Sequence, residues 1–108
     1  MYFLVQLHDT PDGPAVFGPD HEPFVDELIA ANVALIGGPF DDPPSAGVRA
    51  AYVVRCATFD EARAIAERDP VVAAGRAIAS VHAWELLAIN PAAADADIVF
   101  TPDDIKPR

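Results

Sequence analysis

Histidines are the side chains of this sequence best suited to moving a proton near neutral pH, and there are three of them, His8, His21 and His82. His21 opens a predicted helix, where the positive end of the helix dipole favours a neutral imidazole that can act as a base. In the predicted topology, the end of the first strand and the loop after the second helix can approach this helix start. Those segments carry Asp9 and Asp69, carboxylates that could orient the imidazole. Surface histidines and turn aspartates are common, so these residues alone leave the site open.

Other kinds of chemistry have less support in the sequence. His8, His21 and several aspartates could bind a metal, but neither His-x-x-x-His nor Asp-x-Asp-x-Asp spacing occurs, so we predict no metal site. The Gly37–Gly38 pair lacks the continuation of a phosphate-binding loop and is interpreted as a turn. Cys56 lies within an apolar run, which favours a small buried hydrophobic residue over a nucleophile. His82 lies in the middle of a predicted strand, and we interpret it as structural.

Composition narrows the function classes. The chain has 108 residues, 52% of them hydrophobic, which fits one small core. Its 7 basic and 17 acidic residues give a formal net charge of -10, which argues against nucleic acid and anionic membrane surfaces as partners. The single cysteine excludes an internal disulfide. Because the N-terminus lacks a basic segment and no apolar stretch is long enough to span a membrane, we expect a cytoplasmic protein.

Strand and helix signals alternate in an order that predicts the fold. The predicted strands cover residues 2–7, 33–36, 48–56 and 78–87, and the predicted helices begin at Asp20 and after Thr58. Asp20 is the expected N-cap of the first helix. Thr58 and Glu61 have the spacing of a capping box for the second. The order β-α-β-β-α-β predicts an α+β, ferredoxin-like fold, in which a four-stranded antiparallel sheet carries two helices on one face.

The second face of such a sheet would remain uncovered. Depending on register it would carry aromatic residues from among Tyr2, Phe3, Tyr52 and Trp84. An uncovered apolar face usually finds a partner, so we predict a homodimer packed through the sheet face. We expect residues 1–89 to form the domain and residues 90–108 a C-terminal arm, whose segment 98–100 would pack across the partner subunit.

Four short motifs occur in order along the chain. They are Asp9-x-Pro11, His21-x-x-Phe24-x-x-x-Leu28, Gly38-Pro39-Phe40 and Asp69-Pro70-x-x-x-x-Gly75. Together they resemble the YciI-like (YCII-related) proteins, small dimeric α+β barrel proteins, over residues 1 to about 89. The resemblance implies a cofactor-free enzyme of lyase or isomerase type that acts on a small, aromatic metabolite. It also implies that His21 is the acid/base, that Asp9 or Asp69 orients it, and that Phe40, Gly38, Pro39 and Pro70 line the substrate site.

Two departures from the family pattern bear on the substrate. Val71 follows Pro70 where many relatives carry tyrosine, and an arm of about twenty residues follows the last strand. Two alternatives stay open at this point. The chain could be a non-catalytic dimer that binds a small ligand or serves as an accessory protein, or a cofactor-free monooxygenase of the same superfamily, because fold alone does not choose among functions.

Overall fold

A computed structural model describes residues 1–40 and 47–98 of the chain. Its four strands and three helices follow the predicted order, with a short third helix directly after the second. The strands are β1 (Tyr2–His8), β2 (Ala34–Pro39), β3 (Val48–Arg55) and β4 (Ile78–Trp84). The helices are α1 (His21–Ala30), α2 (Phe59–Arg68) and α3 (Pro70–Ala73), and two 3-10 turns follow at Pro91–Ala93 and Ala96–Ile98.

The strands form one antiparallel sheet in the order β2-β3-β1-β4. The central strand β1 pairs on both sides, so that Val5 lies between Tyr52 and Val81. This arrangement confirms the α+β, ferredoxin-like fold that the order of elements predicts. No helix among the described residues is long and apolar enough to cross a membrane.

Alternation along β1 determines which side of the sheet forms the core. Phe3, Val5 and Leu7 are fully buried, whereas the residues between them are only partly covered. The buried side packs against the helices, which contribute small and branched apolar residues, among them Ala62 and Ala66. Alternate burial along β1 therefore indicates that the helices cover only one face of the sheet.

The two long helices begin differently. Thr58 caps α2 as predicted, because its hydroxyl accepts a hydrogen bond from the Glu61 amide at 3.1 Å. The Glu61 carboxylate accepts from the Ala57 amide at 2.9 Å, one residue earlier than a standard capping box. Asp20 is the N-cap of α1, as predicted, but its side chain makes no capping hydrogen bond. The first helical amide, that of His21, instead donates to the carbonyl of Gly18.

The glycine pair after the second predicted strand is not a turn. β2 continues through it to Pro39, and Gly37 pairs with Tyr52 of β3. A side chain at Gly37 would place its Cβ 2.6 Å from the Tyr52 Cβ, closer than real carbon atoms approach. Glycine at this position therefore makes room for the tyrosine, which is a close-approach role and not a turning role.

The register assigns the aromatic residues to the two faces. Tyr2 and Trp84 pair on the face without helices, whereas Phe3 and Tyr52 belong to the buried face, where the sequence left their position open. On the uncovered face, Ile36 is 62% and Trp84 is 45% exposed in the single chain. In the segment predicted to pack across a partner, residues 99 and 100 lie outside the described residues, as does the arm beyond them.

Candidate active site

His21 and Asp69 form a direct hydrogen bond, with 2.9 Å between Nδ1 of the imidazole and Oδ1 of the carboxylate. The two residues are 48 positions apart in sequence and are brought together by the fold. His21 is the first residue of α1, and Asp69 lies between α2 and α3. Of the two carboxylates that the sequence offered as partners for His21, the structure therefore brings Asp69 to it.

The sequence around Asp69 explains why a carboxylate can be buried at this point. Asp69 is the N-cap of α3, and its Oδ1 accepts a hydrogen bond from the Val71 amide at 3.1 Å. Pro70 fills the first helical position, where its missing N–H costs no hydrogen bond. Capping thus fixes the side chain in a fully buried position, with 0% of it exposed. A buried carboxylate needs such partners, because burial without them is strongly unfavourable.

The imidazole faces two environments. The side chain of His21 remains 20% exposed, although its Nδ1 is directed to a carboxylate with no exposure. The ring of Phe17 lies 4.6 Å from the imidazole centroid at a tilt of 33°, and so covers one face. His21 is therefore held on one side by Asp69 and on another by Phe17, and part of it can still meet a small molecule.

The hydrogen bond assigns a tautomer to His21. A carboxylate oxygen accepts, so Nδ1 must carry the hydrogen, and in the neutral ring Nε2 then holds the free lone pair. A lone pair on Nε2 makes this atom the one that can take a proton from a bound molecule. The buried carboxylate also stabilises the imidazolium that proton transfer would produce.

Asp9 belongs to a different cluster. Its Oδ1 accepts hydrogen bonds from Arg49 Nε and from the Ala15 amide, both at 2.8 Å. Between β1 and β3 the register shifts after Leu7, and the extra residue of β3 at this point is Arg49. The bond from Arg49 is the largest cause of a lowered pKa of Asp9, and the Ala15 amide adds to it. Asp9 thus fastens the loop between β1 and α1, and it does not contact His21.

The other two histidines lie on the uncovered face of the sheet. His8 Nε2 lies 2.8 Å from the hydroxyl oxygen of Ser80 on the neighbouring strand β4. His82 is exposed and pairs with Leu4 in the register between β4 and β1. Both positions differ from that of His21, since among the described residues neither histidine forms a hydrogen bond or ion pair with a carboxylate.

Three of the four predicted substrate-lining residues lie at the edge of the sheet, and the fourth follows Asp69. Gly38 and Pro39 lie in the edge strand β2, and Phe40, which follows them, is about half exposed. Within the described residues, no hydrogen bond or ring contact joins these three to His21, whereas Pro70 directly follows Asp69 in the chain. Two shallow depressions of the described surface are lined by other residues, one between the end of β3 and α2 and the other beside the start of β1 and the end of β4.

Three residues beside the pair were not identified from the sequence. Phe17 stacks on His21, and Arg76 lies at the turn before α1, where its guanidinium would meet a side chain at Gly18. The third is Tyr52, whose hydroxyl is buried and close enough to Asp69 for the carboxylate to act on it. Of these three, only Tyr52 could have been identified from the sequence, because the alternation of side chains along β3 could have assigned it to the helix-covered face.

Metal ligands and the cysteine are the other two kinds of reactive group considered from the sequence. In the described ranges 1–40 and 47–98, no group of three or more His, Cys, Asp or Glu side chains is arranged to hold a metal ion. Cys56 is partly buried, and burial, together with the nearby Glu61 carboxylate, raises the pKa of its thiol. A raised pKa favours the unreactive thiol over the thiolate.

Comparisons with known proteins agree with this architecture. The family model described as the YCII-related domain matches residues 1–85. A solved structure with the same fold is that of 5-chloro-2-hydroxyhydroquinone dehydrochlorinase (TftG) from Burkholderia phenoliruptrix AC1100, in complex with 2,5-dihydroxybenzoquinone. It is 21% identical, with a TM-score of 0.58 over 79% of this chain and 94% of that one. A search of curated proteins gave no match.

Proposed function

This chain belongs to the YCII-related family, and on that premise we propose that it is a cofactor-free enzyme in which His21 and Asp69 transfer a proton. The observation that carries the proposal is the 2.9 Å hydrogen bond between His21 Nδ1 and a fully buried Asp69 carboxylate. Asp9, the other candidate for orienting His21, is bonded to Arg49 and has no part in the proposed step.

The chemistry follows from the tautomer. Nε2 of His21 takes a proton from a hydroxyl or carbon of the substrate, while Asp69 holds the Nδ1–H and stabilises the imidazolium. The electron pair left on the substrate then forms a new double bond as a leaving group departs with the electrons of its own bond. Without a leaving group, the proton returns at another atom. Elimination and isomerisation are therefore the two reaction types that the pair supports.

A small hydroxylated aromatic compound is the substrate class that we propose. The structurally similar dehydrochlorinase acts on a chlorinated hydroxyhydroquinone, which loses hydrogen chloride, and it binds a dihydroxybenzoquinone. At 21% identity this similarity extends to the fold, so the substrate class is a hypothesis for this chain. The ring of Phe17 beside His21 supplies an apolar surface suited to a flat ligand.

We further propose that the active form is a homodimer packed through the uncovered sheet face. Large apolar side chains stand exposed on that face in the single chain, including Ile36 and Trp84. Beyond β4, Leu87 and Ile89 are exposed, as is Ile98 in the arm. Contacts with a second copy would bury both sets. Sedimentation of the dilute chain as a monomer would overturn this assembly.

NMR of the histidine side chains tests the dyad without a known substrate. Nitrogen-15 shifts report the tautomer, and we expect neutral His21 to carry its hydrogen on Nδ1 in the wild-type chain. In Asp69→Asn we expect this preference to weaken, because the neutral amide oxygen is a poorer acceptor for the Nδ1–H than the carboxylate. Asp9→Asn is the matched control and should leave the His21 signals in place. A wild-type His21 protonated on Nε2 would contradict the dyad.

Direct assays then separate catalysis from binding. The probes are 2,5-dihydroxybenzoquinone for binding, followed by thermal shift, and 5-chloro-2-hydroxyhydroquinone for turnover, followed by chloride release. We expect both binding and chloride release in the wild type. In His21→Gln chloride release should fall by at least about 100-fold, the usual contribution of a positioned acid/base group. Binding with no release by the wild type would favour the alternative of a ligand-binding dimer.

A further inference from the structure

Beneath the dyad, Tyr52 Oη and Asp69 Oδ2 are both buried polar atoms that lack a hydrogen-bond partner in the described residues. One can donate and the other can only accept, so their needs are complementary. Tyr52 is 7% exposed and Asp69 is not exposed at all, so bulk water does not supply the missing bonds. Buried polar groups in folded proteins are almost always satisfied, and this pair therefore requires an explanation.

We infer that Tyr52 is a positioning residue of the site, whose hydroxyl donates through one bridging water to Asp69 Oδ2 and thereby tunes the hydrogen bond to His21. The inference rests on the proposed function for its catalytic meaning. A bridging water is the smallest group that can satisfy both atoms, since they form no direct hydrogen bond with each other. The resulting chain runs from Tyr52 through Asp69 to His21.

Two other features of the structure favour this role. Tyr52 lies on the helix-covered face between Val5 and Gly37, and the missing side chain of Gly37 leaves room for the Tyr52 Cβ. A buried phenylalanine would fill that space equally well, so the hydroxyl has no evident packing role. Burial, and secondarily the negative charge of Asp69, raises the pKa of Tyr52 above its ordinary range. The hydroxyl therefore keeps its hydrogen near neutral pH and can serve as a donor.

The electrostatic consequence has a definite sign. A donor on Oδ2 draws negative charge away from Oδ1, which weakens Oδ1 as an acceptor for the His21 Nδ1–H. Removing the hydroxyl should concentrate charge on Oδ1 and strengthen that bond. Other charged side chains near His21 include Asp20 and Glu22 on either side of it in the sequence and Arg76 at the Gly18 turn. All three stay unchanged in the variants below.

The test is Tyr52→Phe, with Tyr2→Phe as the matched control on the uncovered face. We expect a downfield shift of the His21 Nδ1–H proton signal in Tyr52→Phe and no shift in Tyr2→Phe. We also expect a lower Tm in Tyr52→Phe, because Asp69 Oδ2 loses its partner. Either an unchanged Nδ1–H signal or an equal or higher Tm would overturn the inference, since deleting an unpartnered hydroxyl is neutral or stabilising and leaves the His21 bond as it was.

The failure of this inference is distinguishable from the failure of the dyad. If the Nδ1–H signal responds to Asp69→Asn but not to Tyr52→Phe, the dyad stands and the role of Tyr52 falls. If it responds to neither, both fall. A second measurement uses the wild-type chain and does not require the Tyr52 variant to fold. The Tyr52 hydroxyl proton should exchange slowly and give its own signal, which moves in Asp69→Asn; rapid exchange with solvent would overturn the inference.

Discussion

Two carboxylates of this chain have the same hydrogen-bond pattern and different chemistry. In each, one oxygen accepts a backbone amide and one side-chain N–H: Asp69 from Val71 and His21, Asp9 from Ala15 and Arg49. The distances differ little, between 2.8 and 3.1 Å. What differs is the partner, because arginine stays charged at all accessible pH values, whereas histidine can gain and lose a proton.

Burial separates the two sites further. The Asp69 side chain has no exposed surface, while 22% of Asp9 and 31% of Arg49 is exposed. The Asp9–Arg49 pair is therefore screened by water and serves to fasten a loop. The Asp69–His21 pair lies where charge interactions are stronger and where part of the imidazole remains accessible. The comparison indicates that partner type and burial, more than distance, distinguish a reactive pair from a structural one.

The largest expected effect is that of removing Asp69. Asp69→Ala deletes both the cap of α3 and the acceptor of the His21 Nδ1–H, so we expect a loss of about 2–4 kcal/mol in the free energy of unfolding. Urea unfolding measures it. Asp9→Ala is the matched control, and we expect a smaller loss because Asp9 is partly exposed. A larger loss in Asp9→Ala would contradict the comparison.

A glycine exchange tests the packing beneath the buried site. Gly37→Ala forces a Cβ against the Tyr52 Cβ, so we expect a destabilisation of about 1–3 kcal/mol, as for other overpacked positions. Its neighbour Gly38 provides the control, because a Cβ there meets nothing within 4 Å. Equal unfolding free energies for Gly37→Ala and Gly38→Ala would show that Tyr52 does not depend on the missing side chain.

The N-caps of α2 and α1 provide a third and smaller contrast, because the Thr58 side chain makes a capping hydrogen bond and the Asp20 side chain does not. Thr58→Ala removes the hydroxyl that caps α2, and we expect a loss of about 1 kcal/mol in unfolding free energy. Asp20→Ala should cost less, because Asp20 stands before α1 without a capping bond. Chemical denaturation of both variants measures the difference. A larger loss for Asp20→Ala would mean that its charge matters more to α1 than a capping bond does to α2.

Much of the fold could be predicted because local signals determine it. The alternation in β1 and the capping pair Thr58 and Glu61 are properties of neighbouring residues. The course of β2 through Gly37 could not be predicted, because glycine usually marks a turn and the reason for it is the Tyr52 side chain on another strand. The same limit applies to Asp20, whose cap geometry depends on the Gly18 turn.

The site could be predicted only as a set of alternatives. The sequence offered both Asp9 and Asp69 as partners for His21, and nothing near either residue separates them. The separation depends on Arg49, which the register shift after Leu7 brings to Asp9. Register and long-range pairing are set by the whole sheet, so single-sequence reasoning could name the candidates but could not choose between them.

Unfolding at acidic pH tests whether the Asp9–Arg49 pair stabilises the fold through the charge of Asp9. Asp9 has a pKa lowered below its usual value of 3.8, mainly by the hydrogen bond from Arg49. A carboxylate with a lowered folded-state pKa stabilises the fold above its unfolded-state pKa, and this contribution is lost as the pH falls through the folded-state value. The difference in unfolding free energy between wild type and Asp9→Asn should therefore be constant near neutrality and shrink below about pH 3.8.

Urea unfolding at several pH values measures this difference, with Asp12→Asn as the control, because Asp12 lies in the same loop and its carboxylate accepts no hydrogen bond there. Added salt should also reduce the Asp9→Asn difference, since the pair is partly exposed to screening ions. A difference that stays constant down to pH 2 would contradict the ionic origin of the contribution. A carboxylate with a lowered pKa is fully ionised at pH 6. If the wild-type advantage over Asp9→Asn were already lost at pH 6, the advantage would therefore come from another group.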